Sequence, residues 1–125
     1  WERLATSGMH TIKTSDNPPK ANMPYDREKT SNLDRHYHDY DEYWAILEGG
    51  AKLAVGNEIL DVESGDCLIT PQGWHQDCIS LKDHGQMRLA WLSSTPRGKQ
   101  RVGHLHDDTH GAPEPTIPLS RGRDA

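Results

Sequence analysis

The stretch RHYHDYDEYWAILEGG, residues 35–50, decides the fold, because two histidines and a glutamate stand just ahead of an apolar run. On a helix, His36 and His38 would point about 200° apart and could not share an ion. On a strand, residues two apart lie on the same face, so both imidazoles could reach one ion. Along a straight strand Glu42 would lie ~20 Å from His36. The Asp39–Asp41 segment has turn chemistry, so we expect Glu42 to open the next strand beside the two imidazoles.

Strand-length segments that carry Ile, Val, Leu, Trp or Tyr follow one another downstream, with turn signals between them. The segments are EYWAILE, AKLAV, EILDV, DCLIT, HQDCISL and QMRLAWL, within residues 42–92. Short strands with turns every 8–12 residues or so are typical of an all-β sandwich or barrel. AKLAV-GN-EILDV is the clearest hairpin, since two alternating runs flank a two-residue turn.

Composition limits the class of protein. The chain has 125 residues, which suits one domain, and only 33% of them are hydrophobic, so the core is lean. A net charge of -5 argues against nucleic acid or an anionic membrane as the partner. No apolar run approaches the ~20 residues of a membrane-spanning helix, and no signal-peptide pattern is present. A cytoplasmic location is expected, although the start at Trp1 is also consistent with a missing N-terminus.

Three regions are expected: an N-terminal edge strand and loop at 1–33, a core at 34–95 and a partly disordered tail at 96–125. The edge strand is predicted near 9–14, and the tail is predicted to hold one helical turn near 97–106. Cys67 and Cys78 form no disulfide framework, and both a hairpin bridge and two buried thiols are open. A lean core favours self-association, so we expect a homodimer with residues 1–25 as the candidate contact.

A second motif follows the hairpin, and it reads Gly65-DCLIT-Pro71-Gln72-Gly73-Trp74-His75. With His36-x-His38-x3-Glu42-x6-Gly49, it resembles the two motifs of the cupin superfamily in the right order. The resemblance spans roughly residues 34–92. It implies a double-stranded β-helix, the small cupin jelly-roll barrel, with a divalent metal in its mouth. Carried over, the implied metal ligands are His36, His38, Glu42 and His75, and the implied turn residues are Gly49 and Gly65.

The chain departs from the family pattern at three positions. Thr30 stands where the first motif usually has Gly, and Ile79 stands where the second motif usually has Asn. Cupins commonly have two residues between the last motif glycine and the histidine, whereas here only Trp74 intervenes. Because a shift of one residue swaps the faces of a strand, either His75 or Gln76 faces the metal. We expect His75, since imidazole binds divalent metals better than a neutral amide.

The resemblance implies a metal-dependent enzyme for a small polar substrate: an organic acid, a sugar or a sugar acid. Dioxygenase and isomerase or lyase chemistry are the leading classes, with Fe(II) or Mn(II) favoured and Ni(II), Zn(II) or Co(II) possible. The alternative is a non-catalytic small-molecule-binding cupin, a sensor or storage module. No DNA-binding segment accompanies the motifs.

Side chains near the motifs are candidates for further roles. A general base would come from Tyr40, Tyr43 or Asp77, and the substrate-binding candidates are Trp44, Arg88 and Trp91. Strand parity sends Trp44 to the same face as Glu42, either as core filler or as pocket wall. Arg88 and Trp91 should lie on opposite faces of one strand, with Arg88 either clamping a carboxylate or solvated. The second H-x-H, His104 and His106, is expected to be incidental.

Overall fold

The computed structural model describes residues 4–82, 85–94 and 104–106, which form an all-β barrel of antiparallel strands. The strands are β1 (Leu4–Lys13), β2 (Tyr37–His38), β3 (Glu42–Glu48), β4 (Gly50–Val55), β5 (Glu58–Glu63), β6 (Cys67–Thr70), β7 (Gln76–Leu81), β8 (Gln86–Ser94) and β9 (His104–Leu105). The predicted jelly-roll class and the six predicted strand segments within 42–92 are confirmed. No described segment is a helix long and apolar enough to cross a membrane.

Three sheets build the barrel. The largest has the order β1-β8-β3-β6, the second has the order β5-β4-β7, and β2 pairs with β9. The first strand is an edge strand, as predicted, although it starts earlier than residue 9. The homodimer contact expected at residues 1–25 stays a prediction.

The core lies between the two larger sheets and uses aliphatic residues with one tryptophan. It contains Ile12, Leu33, Trp44, Ile46, Ala51, Leu53, Val55, Val62, Cys78, Met87 and Leu89. The alternation of β3 follows from this packing, because Glu42, Trp44 and Ile46 are buried while Tyr43 and Leu47 are exposed. Gly49 has φ +77°, which turns the chain from β3 into β4 at no steric cost.

Both cysteines are free thiols, so the hairpin disulfide does not form. Cys67 is exposed and Cys78 is buried, which corrects the expectation of two buried thiols. Burial raises the pKa of the Cys78 thiol to about 12. Cys78 is therefore a packing residue in the core.

The C-terminal region predicted as a tail contributes a strand. His104–Leu105 forms β9, in which Leu105 pairs with Tyr37 and His104 with His38. The expected helical turn at 97–106 is therefore wrong for residues 104 and 105, which form a strand. The rest of the region from residue 96 on lies outside the described residues.

The outer face of β7 is covered by the N-terminal loop, through a buried ion pair. The Lys29 ammonium donates to Asp77 Oδ1 at 2.7 Å, and both side chains are almost fully buried. The Tyr25 hydroxyl donates to Asp77 Oδ2 at 2.8 Å, and the Cys78 N–H donates to Oδ1 at 2.8 Å. Burial raises the pKa of the Asp77 carboxyl, while the hydrogen bonds from Lys29 and Tyr25 act in the opposite direction. The loop is therefore fastened to the barrel by charge as well as by packing.

Removing one partner of this pair should destabilise the domain strongly. We expect Asp77→Leu to lower the free energy of unfolding by about 3–5 kcal/mol, because it leaves the Lys29 ammonium buried without its counter-ion. The double variant Lys29→Met with Asp77→Leu should recover most of that loss. Urea unfolding measures both.

Lys82→Met is the matched control, because Lys82 and Asp61 form an exposed pair at 3.4 Å. An exposed pair is worth about 1 kcal/mol or less. An Asp77→Leu cost no larger than the cost of this control would contradict the structural role of the buried pair.

Candidate metal centre and cavity

The candidate site is built on a backbone bridge between His36 and Gln76. The His36 N–H donates to the Gln76 carbonyl at 3.2 Å, and the Gln76 N–H donates to the His36 carbonyl at 2.8 Å. Residues directly opposite each other in an antiparallel pair project their side chains to the same face. The imidazole and the carboxamide therefore meet, with 2.9 Å between the two Nε2 atoms.

The Gln76 carboxamide links three elements of the barrel. Its oxygen accepts a hydrogen bond from the Thr70 hydroxyl at 2.9 Å. Its nitrogen lies 3.1 Å from Glu42 Oε1, to which it donates. With the oxygen engaged by Thr70, the amide presents its two N–H groups to His36 and Glu42. Gln76 thus holds an imidazole and a carboxylate together on one side of the cavity.

The tautomer of His36 follows from its other nitrogen. Nδ1 lies 2.7 Å from the carbonyl oxygen of Asp34, which can only accept, so Nδ1 carries the proton. In the neutral ring Nε2 then has the lone pair, which faces the Gln76 amide. The Asp34 carboxylate in turn lies 2.5 Å from Nε2 of His106. One residue therefore orients His36 through its backbone and contacts the C-terminal segment through its side chain.

Glu42 opens β3, as the turn at 39–41 predicts. Its Oε2 lies 3.4 Å from His38 Nε2, and its Oε1 accepts a hydrogen bond from Trp44 Nε1 at 2.5 Å. The rings of His36 and His38 have centroids 4.8 Å apart. Strand parity and the short turn therefore bring both predicted histidines and the predicted glutamate together.

The expectation that His75 faces this group is wrong. Its ring packs against Tyr37, with centroids 4.8 Å apart, and the side chain beside His36 and Glu42 is that of Gln76. The turn explains the register. Gly73, at φ +81°, donates its N–H to the His38 carbonyl at 2.9 Å, and β7 begins only at Gln76. The bend is not one residue tighter, so the amide takes the position at the usual family spacing.

Three other predicted site residues lie away from the cavity. Tyr43 is on the opposite face of β3 and is exposed. Asp77 faces the N-terminal loop and binds Lys29, so it is no general base for the cavity. Arg88 lies 3.3 Å from Glu48 on the outer surface, which agrees with the solvated alternative rather than with the carboxylate clamp. All three follow from strand parity once the register of each strand is known.

The cavity itself has a volume of about 310 Å³, at the lower end for small-molecule sites. The predicted site residues that line it are Tyr40, Trp44, Trp91, His36, His38, Glu42 and Gln76. Sequence reasoning missed His10, Asn32, Leu33, Asp34 and Leu89 in the lining, as well as Thr70 and His106 behind it. Parity on β1 and β8 would have indicated His10 and Leu89, whereas nothing local marks Asp34 or His106.

The donor set differs from the predicted three histidines and one glutamate. Among residues 4–82, 85–94 and 104–106, no three His, Cys, Asp or Glu side chains are gathered closely enough to hold an ion as they stand. The donor types nevertheless suit a divalent ion, since two imidazoles and a carboxylate converge beside an amide. The Gln76 amide nitrogen contacts His36 and Glu42. The amide would have to flip for its oxygen to face a metal ion.

Comparison with known protein families agrees with this architecture. Residues 27–93 match the family model described as Cupin domain. An uncharacterized protein of Sinorhizobium fredii, y4oW, is 39% identical over 108 residues, which is 86% of this chain and 49% of that protein. The chain thus spans about half the length of this relative. The polyketide cyclase RemF from Streptomyces resistomycificus is similar in structure, with a TM-score of 0.47 and 13% identity, over 74% of this chain and 56% of that one. On the strength of the family match, the chain belongs to the cupin superfamily.

Proposed function

We propose that this cupin domain is a divalent-metal-dependent enzyme that acts on a small molecule in the 310 Å³ cavity. Dioxygenase and isomerase or lyase chemistry remain the proposed classes. The observation that carries the proposal is that Gln76 Nε2 lies 2.9 Å from His36 Nε2 and 3.1 Å from Glu42 Oε1, with His38 Nε2 3.4 Å from Glu42 Oε2.

His36, His38 and Glu42 would hold the metal, and the Gln76 amide oxygen would be a fourth ligand. The tautomer of His36 supports this assignment, because its proton is donated to the Asp34 carbonyl and its Nε2 lone pair faces the site. Backbone carbonyls that accept the other ring N–H in this way commonly orient ligand imidazoles. Two histidines and one carboxylate suit Fe(II) or Mn(II), and Ni(II), Zn(II) and Co(II) also accept such donors.

When bound, such a metal would supply a Lewis acid or an oxygen-binding position. The chain itself supplies groups that can move a proton beside it. Tyr40 lines the cavity with its ring centroid 4.7 Å from that of His38, and the Asp34 carboxylate also lines it. The pair formed by His106 and Asp34 can pass a proton between cavity and solvent, since both side chains are partly exposed. These groups replace Tyr43 and Asp77 as candidates for acid–base work.

A non-catalytic binding module is the second candidate, and one observation favours it. The Gln76 amide donates to both His36 and Glu42, so hydrogen bonds within the protein can satisfy these two acceptors. A cavity of this kind could bind its ligand through hydrogen bonds alone. Metal content separates the two candidates.

Elemental analysis of protein purified without added metal tests the proposed function. We expect about one divalent ion per chain, from the one candidate group of ligands in the part of the chain that the structure describes. His36→Ala should lose the ion because it removes a ligand, and Gln76→His should bind it more tightly because imidazole is the better donor.

His75→Ala is the matched control for that experiment, because it removes a buried histidine next to Gln76 that packs on Tyr37. This variant should keep the ion. Wild-type protein that takes up no metal, even after incubation with Fe(II), Mn(II) and Zn(II), would contradict the enzyme proposal and favour the binding module.

His106 should act as a positioning residue through Asp34. We expect His106→Ala to weaken metal affinity by about tenfold, the lower end for a residue behind a ligand, with the melting temperature nearly unchanged. Competition with a chelator measures the affinity. His106→Gln can still donate to Asp34 and should restore most of it, and an alanine variant with wild-type affinity would refute the positioning role.

A further inference from the structure

Resting on the proposed function of the cavity, we propose that its substrate is an uncharged aromatic molecule that carries hydroxyl groups. This assignment replaces the organic and sugar acids expected from the family resemblance. Three properties of the lining carry it: a wall of indole and leucine side chains, a polar group beside that wall, and acidic charge around the polar group.

The wall is formed by paired residues of neighbouring strands. Trp44 on β3 and Trp91 on β8 are register partners, and both line the cavity with Leu33 and Leu89. The Trp44 indole is held in place by its hydrogen bond to Glu42. Aromatic side chains with fixed rings offer a large apolar contact to another ring at little entropic cost.

Gly8 leaves space for the Trp91 indole in this wall. It pairs with Trp91 across β1 and β8, and a methyl group at Gly8 would lie 2.9 Å from the Trp91 ring. Any larger residue at this position would push the indole from its place. The backbone of β1 therefore supports the ring that lines the cavity.

The polar group lies one step along the same sheet face. Glu42 precedes Trp44 by two residues on the same face of β3, and its carboxylate accepts the Trp44 indole N–H at 2.5 Å, so it lies at the edge of the ring. Glu42 contacts Gln76 and His38, and Gln76 contacts His36. A ring that packs on the indoles would therefore direct substituents on its edge toward this group.

The charge of the lining disfavours an acid. The carboxylates of Asp34 and Glu42 line the cavity, and none of the described lining residues is Lys or Arg. Arg88 is turned outward onto Glu48. In the metal-free protein a carboxylate ligand would meet these two like charges, whereas hydroxyl groups can donate to them. Uncharged hydroxyl substituents are thus the complement of this lining.

Calorimetric titration of matched probes tests the assignment, on both metal-free and Zn(II)-loaded protein. The probes are a dihydroxynaphthalene, naphthoate and a methyl glucoside, which are similar in size. We expect the diol to bind the metal-free protein at least about tenfold more tightly than naphthoate, for the reason of charge, and to bind both forms at least about tenfold more tightly than the glucoside, for the reason of ring contact.

Variants separate the ring contact from the charge. Trp91→Leu should weaken the diol by about three- to tenfold, the range for one lost aromatic contact, and Gly8→Ala should weaken it by displacing the same ring. Trp74→Leu is the control, because Trp74 packs on Gly56 and is not a lining residue. His10→Arg should raise naphthoate affinity several-fold, because His10 lines the cavity, whereas Met9→Arg on the exposed opposite face should not.

The possible outcomes distinguish failure of the substrate assignment from failure of the proposed function. Tighter binding of naphthoate than of the diol by the metal-free protein, tighter binding of the glucoside by either form, or a diol affinity indifferent to Trp91→Leu and Gly8→Ala overturns the substrate assignment and leaves the metal proposal standing. Diol binding to a protein that takes up no metal supports the substrate assignment and overturns the enzyme proposal.

Discussion

The site depends on one constraint, the pairing of His36 with Gln76. Two backbone hydrogen bonds fix this bridge, and the carboxamide then contacts Thr70, Glu42 and His36. These residues come from separate parts of the chain, and the amide is the smallest group that can donate to two acceptors while accepting from a third. The strand register at β7 and the side-chain network therefore support each other, and a shift of β7 by one residue would disrupt both.

Because both faces of β7 are buried, its sequence does not show which side chains point toward the cavity. In a strand with one solvated face, alternation between polar and apolar residues reveals which side chains point inward. Residues 76–79 are all buried, because the loop that carries Tyr25 and Lys29 covers the side opposite the cavity. A histidine, a glutamine and an aspartate in succession then offer no pattern to choose from.

Local rules predicted much of the rest. The strands within 42–92 and the grouping of His36, His38 and Glu42 follow from turn residues and from the parity of short strands. The spacing of the second motif points to Gln76, whereas the preference of metals for imidazole points to His75. The strand register decides between them. Asp34 and His106 were out of reach, because their contact joins residues 72 positions apart through the pairing of β2 with β9.

Among the described residues, the two buried carboxylates are compensated in different ways, and the contrast bears on function. Asp77 has the Lys29 ammonium at 2.7 Å, so its charge is balanced within the fold. Glu42 receives hydrogen bonds from the neutral groups of Trp44 and Gln76, with His38 at 3.4 Å. Neutral donors satisfy lone pairs but leave the net charge, and a buried net charge is costly unless a cation joins it. Glu42 is therefore the buried carboxylate whose charge a bound cation would balance, and it is the one that faces the cavity.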